Sequence, residues 1–270
     1  MKNNFYTKLK NKGEKTIKGV RNALIQLKLL LKNRRKGKNY KTRVFEYKIY
    51  FSDPRSFYNE FIYIFKNEMY GFHPTKANPT IIDGGGFIGT SALYFKKICP
   101  QAHITIFEPD RSALTLLRKN ISENKLEDIT IIEKGLYDKE GKVSFLPDNT
   151  DGGKISADGT HSIEVTQLSA HIKDGVDFLK LNIEGSELKV FEDLDKNNKL
   201  KNIKELCVEY HSFKNSEQNL DKILGILTKN NFRYYIGNFA HSPKGKYVAT
   251  RTFFLLVYAQ NMEPAEKNCI

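Results

Sequence analysis

The chain has 270 residues, of which 40% are hydrophobic and 12% aromatic, a composition typical of a globular protein with a full core. Its three cysteines lie far apart without metal-ligand spacing, which argues against a disulfide scaffold or a zinc site and indicates a reducing compartment. The net charge of +13 is uneven, because residues 1–48 carry 16 Lys and Arg against two acids. We therefore distinguish a basic arm, residues 1–42, from a nearly neutral domain, residues 43–270.

The arm contains one helical pattern, in which apolar residues recur at spacings of three and four. These residues are Ile17, Val20, Leu24, Leu27 and Leu31. One interpretation is a basic amphipathic helix on an anionic membrane surface; another is a solubilising helix that docks on the body or on a second copy. Nucleic acid binding is disfavoured, because no aromatic residues interleave with the basic ones.

Neither a transmembrane run nor a signal peptide is recognised in the sequence. We therefore expect a cytoplasmic protein, with peripheral contact at the inner face of the membrane if the arm binds lipid. The sequence predicts no particular oligomeric state.

From residue 43 onward, predicted strands and helices alternate. RVFEYKIYF, residues 43–51, indicates one strand, and Asp53 and Pro54 suit the start of a helix. Further strands are TIID, HITIFE, ITIIEK, VDFLKLNI and IKELCVEY, and two aromatic-rich strands, FRYYIGN and TFFLLVYAQ, close the chain. The alternation predicts an α/β fold with a Rossmann-like, doubly wound, mostly parallel sheet and an N-terminal helical extension.

A glycine loop follows the predicted strand TIID, in which Gly84, Gly86 and Gly89 have the spacing G-x-G-x-x-G. Glycine allows close approach of a ligand, but the loop alone does not separate a dinucleotide from another adenosyl ligand. Glu108 ends the next strand, where an acid can bind a ribose diol. Asp83, beside the glycines, suits the ammonium group of S-adenosylmethionine and would repel the pyrophosphate of NAD. The sequence therefore favours S-adenosylmethionine.

The chain resembles the FkbM-type methyltransferases over about residues 57–213. The shared segments are MYGFHP, IIDGGGFIGTSALYFKK, ITIFEPD, GLYDKEGKVSF, VDFLKLNIEGSE and CVEYH. The resemblance implies a seven-stranded methyltransferase sheet and methyl transfer from S-adenosylmethionine to a hydroxyl oxygen, on a sugar or glycan acceptor. It also adds residues to the expected donor site, namely Gly85, Phe87, Pro109, Gly135, Leu136 and Asn182.

Two positions depart from the family pattern. Gly86 and Phe87 replace the usual Ala and Asn, and Asn182 replaces the Asp of K-x-D-x-E-G. Asn keeps a carbonyl oxygen but loses the charge, so altered donor binding is expected. Two alternatives stay open: a nicotinamide-dependent oxidoreductase with the same glycine loop, and a non-catalytic relative that scaffolds glycan assembly.

The expected catalytic residues are Glu184, Glu209 and His211, at the carboxyl ends of two predicted strands. A sugar hydroxyl must lose its proton during transfer. His211 is favoured as the general base, because His titrates near neutrality, with Glu209 orienting it or receiving the proton directly. Glu184 could instead complement the dipole of the following helix.

Acceptor contacts are assigned to Tyr70, Lys180 and Asp151. Tyr70 precedes the core, Lys180 shares one side of a strand end with Asn182 and Glu184, and Asp151 lies in a polar segment at residues 149–162. No metal ligand is predicted. Mg²⁺ would suit a sugar diol, but the Asn at residue 182 weakens the set of carboxylates that it needs.

Overall fold

The computed structural model describes residues 39–147, 153–214, 216–237 and 252–262. The helical pattern of the arm and Asp151 lie outside these ranges. The described chain begins with a hairpin of β1 (Tyr40–Val44) and β2 (Tyr47–Phe51), where the sequence predicted one strand over residues 43–51. The turn between them contains Phe45, which adopts a φ of 54° and packs on the ring of Phe65. The single-strand prediction was wrong because this turn has an apolar residue and no glycine.

The first helix, α1 (Pro54–Glu60), begins as predicted. The Asp53 carboxylate accepts a hydrogen bond from the backbone N–H of Ser56 at 2.8 Å, and Pro54 occupies the first turn. The helix continues as one π-helical segment, Phe61–Lys66. Segments of this kind are frequent at functional sites, and this one leads directly to the cavity described below.

Seven strands form the main sheet. They are β3 (Thr80–Gly84), β4 (His103–Phe107), β5 (Ile129–Ile132), β10 (Val176–Leu181), β11 (Ile203–Ser212), β12 (Phe232–Gly237) and β13 (Phe253–Asn261). Their order is β12-β13-β11-β10-β3-β4-β5. The five strands from β11 to β5 are parallel, and β13 is antiparallel to both of its neighbours. The predicted seven-stranded, mostly parallel sheet is confirmed.

Helices cover both faces of this sheet: α2 (Thr90–Ile98), α3 (Arg111–Glu123), α4 (Glu187–Lys196) and α5 (Leu220–Lys229). One core cluster joins the hairpin, α1, α2 and α3 to one face, and a second joins α4 and α5 to the other. This arrangement is the predicted doubly wound architecture. No helix in the described part of the chain is both long and apolar enough to cross a membrane.

A smaller sheet lies between β5 and β10 in the sequence. Its strands are β6 (Gly135–Tyr137), β7 (Gly141–Leu146), β8 (Lys154–Ile155) and β9 (His161–Gln167), in the order β6-β9-β7-β8. Part of the polar segment at residues 149–162 therefore forms β8. Phe145, Ile155 and Ile163 of this sheet reach the same cavity as the glycine loop.

The direction of chain crossing reverses between β3 and β10, which are neighbours in the sheet. The helix after β3 packs on one face, and the helix after β10 packs on the other. In open α/β sheets, ligands bind beyond the carboxyl ends of the strands at such a reversal point. The fold therefore brings together the glycine loop and residues 182–184.

Candidate active site

A cavity with an empty volume of about 950 Å³ lies at the carboxyl ends of β3, β4 and β10. Most of the expected donor residues line it: Gly85, Gly86, Phe87, Glu108, Pro109, Gly135, Leu136 and Asn182. Three others, Asp83, Gly84 and Gly89, do not.

The glycine loop is shaped by the strands around it. Gly85 has a φ of 79°, and a Cβ there would lie 1.9 Å from the carbonyl oxygen of Asn182. A Cβ on Gly86 would lie 2.1 Å from Cγ2 of Ile106. The Gly that replaces the family's Ala at residue 86 therefore has a packing reason. Both positions need glycine before any ligand is considered.

Asp83 and Lys180 form an ion pair beneath the cavity, with Nζ and Oδ1 2.8 Å apart. The Asp83 carboxylate also accepts from the Ser91 hydroxyl, and the Lys180 ammonium also donates to the carbonyls of Gly84 and Gly85. Asp83 is fully buried and is not part of the cavity wall, so this geometry does not favour the expected contact between its carboxylate and the ammonium of the donor, which stays a prediction. Lys180 lines the cavity, but its three N–H donors each have a protein partner, so its expected contact with the acceptor stays a prediction.

Glu108 lies at the end of β4 on the cavity wall. Its two oxygens accept from the backbone N–H groups of Phe87 and Asp110, each at 2.8 Å. Burial of the carboxyl group raises its pKa to about 7, against the lowering effect of these two hydrogen bonds. Each oxygen keeps a lone pair, so Glu108 can accept hydrogen bonds from a ribose diol, the role expected from the sequence.

The contacts of the Asn182 side chain give a structural reason for Asn in place of the family's Asp. Its Nδ2 donates to Oε2 of Glu209 at 3.1 Å, a bond that an Asp carboxylate could not make. The opposite atom, Oδ1, is buried and has no hydrogen-bond partner among the described residues, and the same holds for Oγ1 of Thr90. Both residues line the cavity, so both atoms are placed where they could bond a small molecule bound there.

His211 lies at the end of β11 among three carboxylates. Its Nδ1 is 3.3 Å from Oε1 of Glu187, and its Nε2 is 3.3 Å from Oε1 of Glu184 and 3.6 Å from Oε1 of Glu209. Burial of the ring favours the neutral form, but the bond to Glu187 and the three negative charges outweigh it and raise the pKa of His211 to about 9. With this pKa the ring carries a proton at neutral pH, a charge state that disfavours the expected role of His211 as general base, which stays a prediction.

Glu184 is the member of this cluster that lines the cavity, whereas Glu209 and His211 do not. The expected catalytic residues are therefore adjacent, but only Glu184 can reach a ligand in this geometry. Tyr70 also lines the cavity, as expected, and burial raises the pKa of its phenol well above the usual value, so the group stays neutral. In the described ranges, no three His, Cys, Asp or Glu side chains are arranged to hold a metal ion.

Sequence reasoning missed Glu60, Thr90 and Glu187. Glu60 and Thr90 line the cavity from the end of α1 and the start of α2. Glu60 was missed because only the apolar face of its predicted helix was considered. Thr90 follows directly after Gly89, the last glycine of the loop, and this position could have identified it. Glu187 resembled an ordinary acid in the first turn of a helix.

The fold, the glycine loop and the acidic residue at the end of β4 define a methyltransferase of the nucleotide-binding α/β class. The family model described as the methyltransferase FkbM domain matches residues 83–234 of the sequence, more than half of the chain. The chain therefore belongs to the FkbM family of S-adenosylmethionine-dependent methyltransferases. This assignment replaces the alternative of a nicotinamide-dependent oxidoreductase.

Among curated proteins, the chain is similar to methyltransferase sdnD of Sordaria araneosa, with 29% identity over 178 residues, 50% of this chain and 69% of that protein. It is also similar to the 2-O-methyltransferase NoeI of Sinorhizobium fredii (strain NBRC 101917 / NGR234), with 33% identity over 88 residues. That match covers 33% of this chain and 35% of NoeI.

Among solved structures, the chain is similar to methyltransferase FkbM from Methylobacillus flagellatus KT, with 20% identity and a TM-score of 0.47. The match covers 76% of this chain and 54% of that one. A second similar structure is TYW2 of M. jannaschii in complex with AdoMet, with 13% identity and a TM-score of 0.48, covering 84% of this chain and 87% of that chain.

S-adenosylmethionine fits the residues on the cavity wall. Glu108 would hold the ribose diol, the backbone of Gly85 and Gly86 permits close approach of the ligand, and Oδ1 of Asn182 would accept from the ammonium group. Oγ1 of Thr90 offers a further polar contact. The loss of charge at Asn182 is thus compatible with donor binding, because the carbonyl oxygen is the atom left without a protein partner.

Proposed function

We propose that the protein transfers the methyl group of S-adenosylmethionine to a hydroxyl oxygen of a sugar or glycan. The observation that carries this proposal is the Glu184 carboxylate on the cavity wall, close to the residues that fit the donor. The similarity to NoeI, whose name describes a 2-O-methyltransferase, supports oxygen as the acceptor atom. The sugar and the oxygen specificity are our inference for this chain.

The proposed reaction needs one proton acceptor from the protein. S-adenosylmethionine supplies, when bound, a methyl group on a positively charged sulfur. Glu184 accepts the hydroxyl proton of the acceptor as the oxygen–methyl bond forms and the methyl–sulfur bond breaks. The neighbouring His211 imidazolium, 3.3 Å from Oε1 of Glu184, keeps the carboxylate ionised before the proton arrives.

The charge of the cavity wall favours an uncharged acceptor. Glu60, Glu108 and Glu184 lie on this wall, while the positive charge of Lys180 is paired with Asp83. Carboxylates repel a phosphate or carboxylate placed near the reacting hydroxyl, and they accept hydrogen bonds from the hydroxyl groups of a sugar. A neutral polyol therefore suits the site better than an anionic acceptor.

The test is a radiometric assay with labelled S-adenosylmethionine and a panel of neutral saccharides, followed by mass spectrometry of the product. Glu184→Gln removes the proton acceptor and should lower kcat by about 10²–10⁴-fold. The matched control is Glu192→Gln on the exposed side of α4, which should leave kcat unchanged. A methyl group found on nitrogen or carbon, or full activity of Glu184→Gln, would contradict the proposal.

Donor binding is measured separately by calorimetry with S-adenosylmethionine and with NADH. The proposal expects binding of the first and not of the second. Donor binding without methyl transfer to any acceptor class would favour the non-catalytic scaffold that the family departures left open.

We further propose that the basic arm attaches the protein to an anionic membrane surface. The apolar stripe of the arm and its excess of Lys and Arg support this proposal. Deletion of residues 1–38 leaves β1 intact and should abolish sedimentation with vesicles that contain anionic lipid. Unchanged sedimentation would reject the role of the arm.

A further inference from the structure

The loop that carries Glu184 is held by a residue outside the cavity. Glu184 has a φ of 55° and Gly185 a φ of 99°, so two consecutive residues are left-handed between β10 and α4. A left-handed residue other than glycine costs about 1–2 kcal/mol. The position of the Glu184 carboxylate therefore depends on contacts that keep this loop in place.

Those contacts converge on one atom. Oε1 of Glu187 accepts from the backbone N–H of Ile183 at 3.3 Å and of Gly185 at 3.1 Å, the two residues on either side of Glu184. The same oxygen is 3.3 Å from Nδ1 of His211. Glu187 is 1% exposed and does not line the cavity, so it cannot touch a ligand.

His211 connects this atom back to the cavity. Its opposite nitrogen, Nε2, faces Oε1 of Glu184 and Oε1 of Glu209. The ring of Phe213 stacks on the imidazole, and Phe254 packs at 6.0 Å between ring centroids, so the imidazole is fixed between aromatic side chains. Glu187 thus fixes the orientation of the ring through Nδ1, and the other nitrogen, Nε2, faces the carboxylate of Glu184.

We propose that Glu187 is the positioning residue of this site: it holds the left-handed loop through two backbone N–H groups and orients the His211 ring that faces Glu184. The expected effect on kcat rests on the proposed function, in which Glu184 is the proton acceptor. In many active sites, a reacting group is oriented by a neighbour that is itself held by a third residue. Here the three residues are Glu184, His211 and Glu187.

Glu187 also contributes to the charge around the His211 ring. The groups that face the His211 ring are Glu184, Glu187, Glu209, Phe213 and Phe254, so the ring is held between three negative charges and two aromatic rings. Glu187→Gln keeps an oxygen at the Oε1 position but removes one charge. The imidazolium should then lose its proton at a lower pH than in the wild-type protein.

The first test needs no acceptor. Nuclear magnetic resonance follows the titration of His211 and the hydrogen exchange of the Ile183 and Gly185 amides in the wild type, Glu187→Gln and the control Glu192→Gln. We expect the His211 midpoint to fall in Glu187→Gln by about one pH unit, for which removal of one nearby charge is sufficient. An unchanged midpoint together with unchanged amide exchange would overturn the proposal.

The second test is kinetic. In Glu187→Gln, kcat should fall by up to about 10²-fold, as expected for a misplaced reacting group. The dissociation constant of S-adenosylhomocysteine should stay within twofold, which also shows that the variant is folded. A change in that constant or in KM with kcat unchanged would overturn the positioning role.

Glu187→Asp supplies a second variant if the Gln protein does not fold. It keeps the charge but shortens the side chain, so His211 should remain protonated while the two loop amides exchange faster. If the wild type transfers no methyl group to a hydroxyl, the proposed function fails, and the resonance measurements still decide whether Glu187 holds the loop.

Discussion

Asp83 and Lys180 form an ion pair in which both side chains are almost completely buried, with exposed fractions of 0% and 3%. The pair joins the end of β3 to the end of β10, directly under the cavity. Removal of one member leaves the other as an unpaired charge in the protein interior.

We expect Lys180→Met to lower the free energy of unfolding by about 3–5 kcal/mol, because it leaves the Asp83 carboxylate buried and unpaired. Urea unfolding measures this loss. The double variant with Asp83→Asn should recover much of it. The control is Lys222→Met, since the pair of Lys222 with Glu217 is exposed and its loss should cost less than about 1 kcal/mol. Equal losses for the two lysine variants would contradict the prediction.

Gly86→Ala should destabilise the protein by about 1–3 kcal/mol and weaken donor binding, because the new Cβ overlaps Cγ2 of Ile106 at 2.1 Å. Adding Ile106→Leu removes this methyl branch at similar volume and should restore part of the loss. Gly225→Ala is the matched control: nothing lies within 4 Å of its Cβ position in α5, so a stabilisation of about 1 kcal/mol is expected there. Thermal unfolding and calorimetry with S-adenosylhomocysteine measure both effects.

The stability and the donor affinity should both depend on the Glu108 carboxyl group between pH 4.5 and 7. Its pKa in the folded protein is about 7, above the value of 4.5 that an unperturbed Glu has, so the folded state binds the proton more tightly. Its contribution to stability is full below pH 4.5 and is lost as the pH rises through 7. Glu108→Gln should remove this part of the pH dependence of the urea midpoint.

Affinity for the donor should change in the opposite direction with pH. An ionised Glu108 accepts hydrogen bonds from a ribose diol better than the protonated acid, so the affinity should rise from pH 6 to pH 8. Glu108→Gln should bind more weakly at pH 8 and show a flatter profile in calorimetry. A flat profile of the wild type would show that Glu108 does not contact the donor.

Asn182→Asp restores the family residue but should not improve this protein. It replaces the amide that donates to Oε2 of Glu209 at 3.1 Å by a second carboxylate, and like charges at this distance repel. We expect weaker binding of S-adenosylhomocysteine and a lower unfolding midpoint, both partly recovered by Glu209→Gln in the same chain. Tighter binding in Asn182→Asp alone would show that the ammonium of the donor needs a charge at this position.

The sequence predicted the order of strands and helices because hydrophobic runs and turn residues marked them. The strand at residues 43–51 failed for a local reason: Phe45 occupies a left-handed turn position where Gly, Asn or Asp is usual. The site was predicted as a set of residues at one edge of the sheet, and most of the donor residues do line one cavity.

The roles within that set were harder to predict, because they depend on partners far away in the sequence. Asp83 was expected to face the ligand, but Lys180 neutralises it from another strand. The protonation of His211 depends on Glu184 in the loop after β10 and on Glu187 at the start of α4, which spacing along β11 cannot show. Motifs therefore identified the residues, and packing between strands determined their charge states.

The ion pair beneath the cavity also bears on how the protein is made. The chain must extend past Lys180 before the glycine loop receives its bonds from the Lys180 ammonium, although the loop itself ends at Gly89. During synthesis, β3, α2 and β4 leave the ribosome first but lack the neighbouring strand β10. The glycine loop therefore gains these bonds only after about ninety further residues have been synthesised. Folding of this half of the sheet is thus governed by long-range contacts.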